Sequence, residues 1–290
     1  MAMDSNLVRR ILFAAVAIPL ALLIVWVGGW SLAALVATIA VLGARELFDL
    51  ASKQGIAALR GAGYLVAAAV PLLLYASTVN PETHSWLVDS WRYLAAGLVL
   101  VLLIEALRSR APGEKPLGAV AVTLLAVAYT AWLPAFLLEI RHGRFGAQSW
   151  GGTAMVFFPL LVTWVCDTAA MFGGRIFGGA KMAPTISPGK TRSGGISGLV
   201  GGIAVAPLFA LVIFPRVGIA VSLFAAVTMA VTLSVVGQLG DLAESLFKRE
   251  AGVKDSSALI PGHGGILDRF DSLYLVLPTA AFCYHLLGLV

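Results

Sequence analysis

Between Gly240 and Asp271 the chain reads GDLAESLFKREAGVKDSSALIPGHGGILDRFD, and this stretch holds six of the fifteen acidic residues and four of the twenty basic ones. If the apolar run that ends at Leu239 continues as helix, Asp241, Glu244, Ser245 and Lys248 fall at i, i+3, i+4 and i+7, on one face. The helix should stop near Ala251-Gly252, and Pro261-Gly262-His263-Gly264-Gly265 is a second break, rich in the residue that permits close backbone approach to a ligand. Asp268 and Asp271 then open a final helix. Two carboxylate clusters thus flank a loop carrying Lys248, Arg249, Lys254 and His263. That layout suits a hard cation such as Mg²⁺, which takes few carboxylates plus waters and substrate phosphates, and it leaves the basic side chains for phosphate oxygens. The plainer reading is a solvated loop with incidental ion pairs, and the clustering of Gly, Pro and His counts against it.

A second stretch has compatible chemistry. Asp167 lies within the apolar run TWVCDTAAMF, where a carboxylate is expensive and is by default a functional residue. The structural alternative is a packing hydrogen bond through Thr163 or Thr168. The segment after it, GGRIFGGAKMAPTISPGKTRSGG, interleaves Arg175, Lys181, Lys190 and Arg192 with glycines and prolines. Glycine-exposed amides among cations make a phosphate cradle. Gly189-Lys190-Thr191 invites a P-loop reading, but Pro184 stands where that pattern needs glycine, and no strand precedes it.

The elements that must position these residues are membrane helices. Of 290 residues, 59% are hydrophobic and 12% charged, with a mean hydropathy of +0.92, against about 25% charged in a soluble domain. Nine runs approach the roughly 20 apolar residues that cross hydrocarbon: about 11–28, 31–48, 62–79, 93–107, 117–138, 154–173, 195–214, 218–239 and 272–289. With the N-terminus inside, sixteen of the twenty basic residues fall in cytoplasmic segments, leaving Arg92, Arg141, Arg144 and Arg216 outside. That is the positive-inside bias. It places both charged loops, 173–195 and 241–271, in the cytoplasm and the C-terminus outside.

The expected organisation is an N-terminal transmembrane scaffold over residues 1–150 and a catalytic region over 151–290. Arg45, Glu46 and Asp49 read first as an ion pair at the membrane interface, with an approach to the site as the alternative. Asn80 to Trp91 reads as an external turn. The net charge of +5 is an orientation signal and an attraction for anionic head groups, and it does not suggest nucleic acid. Cys166 and Cys283 lie in apolar spans without metal spacing and read as small hydrophobes, with no disulfide implied. The first span, preceded by Arg9-Arg10, is treated as a retained helix because no small-residue cleavage site follows it.

The charged stretch also resembles a known signature. Ser245-Leu-Phe-Lys-Arg, then Lys254-Asp255, then Pro261-Gly-His-Gly-Gly-Ile-Leu-Asp-Arg-Phe-Asp271 is similar to the signature of phosphatidate cytidylyltransferases, or CDP-diacylglycerol synthases. Asp167, Gly174-Arg175, Phe177-Gly178, Lys181, Pro184, Ile186-Ser187-Pro188 and Lys190-Thr191 resemble that family's second block. Two positions depart from it: Met171 stands where an aromatic is usual, and Ser193-Gly194 where Glu-Gly is usual. The resemblance implies transfer of cytidylyl from CTP to phosphatidic acid, giving CDP-diacylglycerol and pyrophosphate. It also implies Mg²⁺, with a second metal ion left open, a homodimer, and the inner membrane of a bacterium with the site on its cytoplasmic side.

In that reading Asp241 and Asp268 carry the metal, with Glu244 and Asp271 in support. Lys248, Arg249, Lys254 and Arg269 meet the triphosphate or the lipid phosphate. Ser187, Lys190 and Thr191, with Lys181, Arg175 and Ser245, contact phosphate or the lipid head. Asp167 completes the metal site or orients a lysine, and His263 donates a hydrogen bond to phosphate or ribose. A transporter would need internal repeats and midplane charges, which the sequence lacks. A CTP-dependent polyprenol kinase is the nearer rival, and the Pro-Gly-His-Gly-Gly segment with its Asp-Arg-Phe-Asp ending favours the cytidylyltransferase.

Overall fold

The computed structural model describes residues 19–259 and 264–290. Residues 19–27 are helical and lead through Gly28 into α1 (Gly29–Lys53). There follow α2 (Arg60–Val79), α3 (Pro81–Ser109), α4 (Pro116–Val127), α5 (Leu133–His142) and α6 (Trp150–Phe177). A hairpin of β1 (Lys181–Ala183) and β2 (Ser187–Thr191) precedes α7 (Arg192–Leu208), α8 (Leu223–Glu250), the short α9 (Leu267–Phe270) and α10 (Leu273–Leu286). Among the described residues, seven helices are long and apolar enough to cross a membrane, with α4 and α5 forming one of them. The protein is therefore an all-α polytopic membrane protein with one small hairpin. Of the first expected span, residues 11–18 lie outside the described residues, and 19–27 are helical. The last corresponds to α10, whose 14 residues make it shorter than the other seven.

Local chemistry explains the departures from regular helix. Two π-helical turns, Ala128–Trp132 and Phe209–Ile213, each lie one turn ahead of a proline, Pro134 and Pro215. Proline has no N–H for the carbonyl four residues back, and the ladder widens there. The turn expected after Asn80 is instead the first turns of α3. Asn80 caps that helix by accepting from the amides of Glu82 and Thr83, and Pro81 occupies its first position.

The second half packs through small residues. A Cβ on Gly194 would lie 2.8 Å from the Ala170 carbonyl of α6, and one on Gly198 would lie 3.0 Å from that of Cys166. These glycines let the backbones of α6 and α7 approach closely, the contact that serves in lipid where apolar burial gives no driving force. The main core runs from Met155, Phe158 and Val162 of α6 through Leu233 of α8 to Leu277 and Tyr284 of α10. Under the charged loops lies a second cluster of Leu47, Phe48, Tyr129, Leu267 and Tyr274. Both cysteines are free, as expected.

Arg141, expected in an external loop, is fully buried at the end of α5. Its guanidinium donates to the carbonyls of Val25 at 2.6 Å, Trp26 at 2.7 Å and Gly146 at 2.9 Å. It thereby satisfies carbonyls that the helix over 19–27 leaves open at its C-terminus. Replacing Arg141 with Met strands these acceptors and should lower stability by about 3 kcal/mol, read as a drop in thermal unfolding temperature in detergent. Arg141→Lys should recover only part of it, because an ammonium lacks the planar fork.

Candidate active site

The four residues expected on one face of α8 share that face. Glu244, Ser245 and Lys248 are buried, and Ser245 Oγ donates to Asp241 Oδ1 at 3.3 Å. Lys248 Nζ pairs with Glu244 one turn back and with Asp268 Oδ1 of α9 at 2.6 Å. Glu244 is 1% exposed, and the Lys248 ammonium is its partner. The helix then stops as its sequence requires, with Ala251 as cap and Gly252 at φ +69°.

Asp268 is held from three further directions. Its Oδ2 accepts from the Ser256 amide at 2.9 Å, the Ser256 hydroxyl at 2.7 Å and the Gly265 amide at 2.8 Å. The glycines make this possible: Gly264 sits at φ +80°, and a Cβ there would lie 2.7 Å from Asp268 Oδ2. A Cβ on Gly265 would run into Ser256 Oγ and Glu46 Oε2. Burial pushes the Asp268 carboxyl up, but Lys248 and the hydrogen bonds from Gly265 and Ser256 outweigh it and hold it below the usual carboxylate range. Asp271, at the joint before α10, is pushed up to about 7 by burial and then by the charge of Asp241.

The hairpin supplies the opposite wall. Lys190 of β2 pairs with Asp241 Oδ2 at 2.5 Å, and the charges facing Asp167 are those of Asp241 and Lys190. Arg249 ties the hairpin to the end of α8, donating through Nε to the Ile186 carbonyl at 3.1 Å and through Nη1 to Val253 at 2.6 Å. Thr191 is the N-cap of α7, accepting from the Gly194 amide at 3.1 Å. Ser193, one of the positions that depart from the resembled signature, donates to the Gly178 carbonyl and closes the neck of the hairpin. Asp167, Arg175, Lys181, Lys254 and Arg269 are exposed, and Ser187 is half-buried in β2. His263 lies outside the described residues. Among those that are described, no three His, Cys, Asp or Glu side chains are arranged to hold a metal ion.

Sequence reasoning underrated one residue. Arg45, Glu46 and Asp49 were expected to pair at the interface, yet Asp49 pairs with Arg60 at 2.6 Å, and Glu46 turns inward to the charged loop. A carboxylate among the few charges that end a long apolar helix, beside Arg45 and Asp49, was the available signal.

Three expectations follow. Lys248→Met leaves two buried carboxylates unpaired and should cost about 3–5 kcal/mol in thermal unfolding. Lys190→Met breaks a pair whose side chains are 27% and 29% exposed and should cost under about 1 kcal/mol, so its larger effect should be on activity. The pH response of the loop follows from Asp268, whose carboxyl is held below its unfolded value. Its contribution is complete above about pH 4 and is lost as pH falls through the lower folded value. Hydrogen exchange at the Ser256 and Gly265 amides, corrected for its intrinsic pH dependence, should therefore become no faster as pH falls from about 8 to about 5.

Comparison with known proteins identifies the family. The family described as the cytidylyltransferase family matches residues 8–287. A phosphatidate cytidylyltransferase of Staphylococcus saprophyticus is 42% identical over 158 residues, 54% of this chain and 56% of that protein. One of Synechocystis sp. is 31% identical over 96% of this chain and 97% of its own length. One of Brucella suis is 34% identical over 99% and 94%. The chain belongs to the cytidylyltransferase family.

Proposed function

We propose that this chain carries out the reaction for which its relatives are named, transferring the cytidylyl group of CTP to phosphatidic acid to give CDP-diacylglycerol and pyrophosphate. The observation that carries the reading is the union of two charged segments distant in sequence. The Lys190–Asp241 pair joins the hairpin to α8, and Lys248 joins α8 to the Gly-rich loop through Asp268.

An oxygen of the lipid phosphate attacks the α-phosphorus of CTP, the bond from that phosphorus to the β-bridging oxygen breaks, and pyrophosphate leaves. A phosphate monoester with a second pKa near about 6 is already largely ionised at neutral pH, so a general base is not the main need. Repulsion between two polyanions is the harder problem, and fixed cations offset it where charge develops. Lys190 and Lys181 approach from the hairpin, Arg175 from the end of α6, and Lys254, Arg249 and Arg269 from the opposite rim. Lys248, clamped between Glu244 and Asp268, holds the carboxylates in register.

Magnesium is part of this reading, with a second metal ion left open. The donor set suits it: Asp241 and Asp268 supply hard oxygens, and the buried Glu244 carboxylate, with Asp271 beside it, has the Lys248 ammonium as its partner. When bound, the metal neutralises triphosphate charge and favours departure of pyrophosphate. The same reading has nine spans, N-terminus inside and C-terminus outside, in the inner membrane of a bacterium. The site opens to the cytoplasm for CTP and sideways for a lipid, the catalytic residues lie within 151–290 on a 1–150 scaffold, and the enzyme is a homodimer.

Purified protein in detergent should release pyrophosphate only with phosphatidic acid, CTP and Mg²⁺ together. Asp268→Asn should lower the rate at least about 100-fold. No pyrophosphate from folded wild-type protein would overturn the assignment.

A further inference from the structure

Glu46 is 3% exposed, lies deep in α1, and belongs to the half of the chain that supplies scaffold. Its two carboxylate oxygens collect donors from both arms of the Gly-rich loop. Oε1 accepts from the Ser257 hydroxyl at 2.7 Å and the Ile266 amide at 2.9 Å. Oε2 accepts from the Leu267 amide at 2.8 Å and stands 2.9 Å from the Ser256 hydroxyl.

That hydroxyl is also 2.7 Å from Asp268 Oδ2. It has one proton and lies between two carboxylates, so it donates to one at a time and ties their positions together. The amides of Ile266 and Leu267, held by Glu46, immediately precede Asp268 in α9. Leu267 is itself fully buried, in the cluster that includes Leu47 and Phe48, the two residues that follow Glu46 in sequence. A carboxylate that accepts backbone and hydroxyl donors on both oxygens fixes a loop more firmly than an exposed ion pair does, because its bonds are charge-assisted and shielded from water.

We propose that Glu46 is a positioning residue for cytidylyl transfer: from α1 it clasps both arms of the Gly-rich loop and, through Ser256 and the amides of Ile266 and Leu267, sets the placement of Asp268. The proposal rests on the reading above, in which Asp268 supplies a hard oxygen to the metal ion. Glu46→Gln keeps the size but puts an NH₂ against two of the four donors, leaving them unpaired in a buried place. Displacing a carboxylate by a fraction of an ångström at a site of this kind costs rate out of proportion to stability.

The test uses the full chain in detergent and measures pyrophosphate release, its Mg²⁺ dependence, and trypsin cleavage after the exposed Lys254. Glu46→Gln should lower kcat about 10- to 100-fold, raise the Mg²⁺ concentration giving half-maximal rate, and leave KM for phosphatidic acid near its wild-type value. Cleavage after Lys254 should become faster, and Glu46→Asp should restore part of the rate. Because Glu46 acts through Asp268, the pair Glu46→Gln with Asp268→Asn should be no slower than Asp268→Asn alone. Wild-type kcat with unchanged cleavage, or losses that multiply in the double variant, would overturn the proposal. Should Glu46→Gln not accumulate as folded protein, Ser257→Ala removes one donor and carries the same test. A smaller loss of rate with faster cleavage supports the clasp, and wild-type values for both overturn it. Full activity in Asp268→Asn would sink the site reading itself, and the cleavage rates would still report whether Glu46 holds the loop.

Discussion

One ammonium group between two carboxylates organises this end of the protein. Lys248, Glu244 and Asp268 are all largely withdrawn from water. Bringing three charges out of water is costly, and the cost is offset only if each finds its partners at short range. Asp268 meets that condition with Lys248 and three hydrogen bonds, and Lys248 meets it by reaching two carboxylates. Such an arrangement does not need to stabilise the fold relative to an apolar equivalent. It specifies, instead, one relative position of α8 and α9, since any other strands a charge.

That position requires backbone to come unusually close to side chains. Gly264 and Gly265 bring the loop against Asp268 and Glu46, and Gly240 lets α8 touch the chain at the joint before α10, where a Cβ would lie 2.8 Å from the Asp271 carbonyl. The hairpin is held by different means. Arg249 bonds its turn, Ser193 its neck, and Lys190 its far strand, so three separate contacts fix a segment that has almost no core of its own. Lipid-embedded helices supply rigidity, while polar contacts at their ends supply placement.

Much of this was legible in the sequence because periodicity and scarcity of charge are strong signals. The shared face of Asp241, Glu244, Ser245 and Lys248 follows from helical spacing alone, and the stop near Gly252 from the chemistry of glycine. The hairpin was not legible: strands of three and five residues among Gly and Pro carry no alternation to read. Nor were the first turns of α3, where two acids and two tryptophans between Asn80 and Trp91 looked like loop until Asn80 proved to be a cap. Glu46 was missed for a deeper reason. Its partners are two hydroxyls and two backbone amides more than 200 positions away, and backbone amides have no sequence signature.

Burial divides the charges of the site into two kinds. Glu46 and Lys248 already have their partners within the protein, so a ligand that took one of them would have to break an existing bond in a place where an unpaired charge is costly. Lys181, Arg175, Lys254 and Arg269 are exposed and reach no carboxylate among the described residues. A polyanionic substrate can therefore be met by the outer cations at little internal cost, while the inner set keeps its geometry. Lys190 and Asp241, half-exposed and joined by a single ion pair, lie between the two kinds. Theirs is the contact that an incoming phosphate or cation can open without dismantling the rest, because water already reaches both partners and screens the charge that is left.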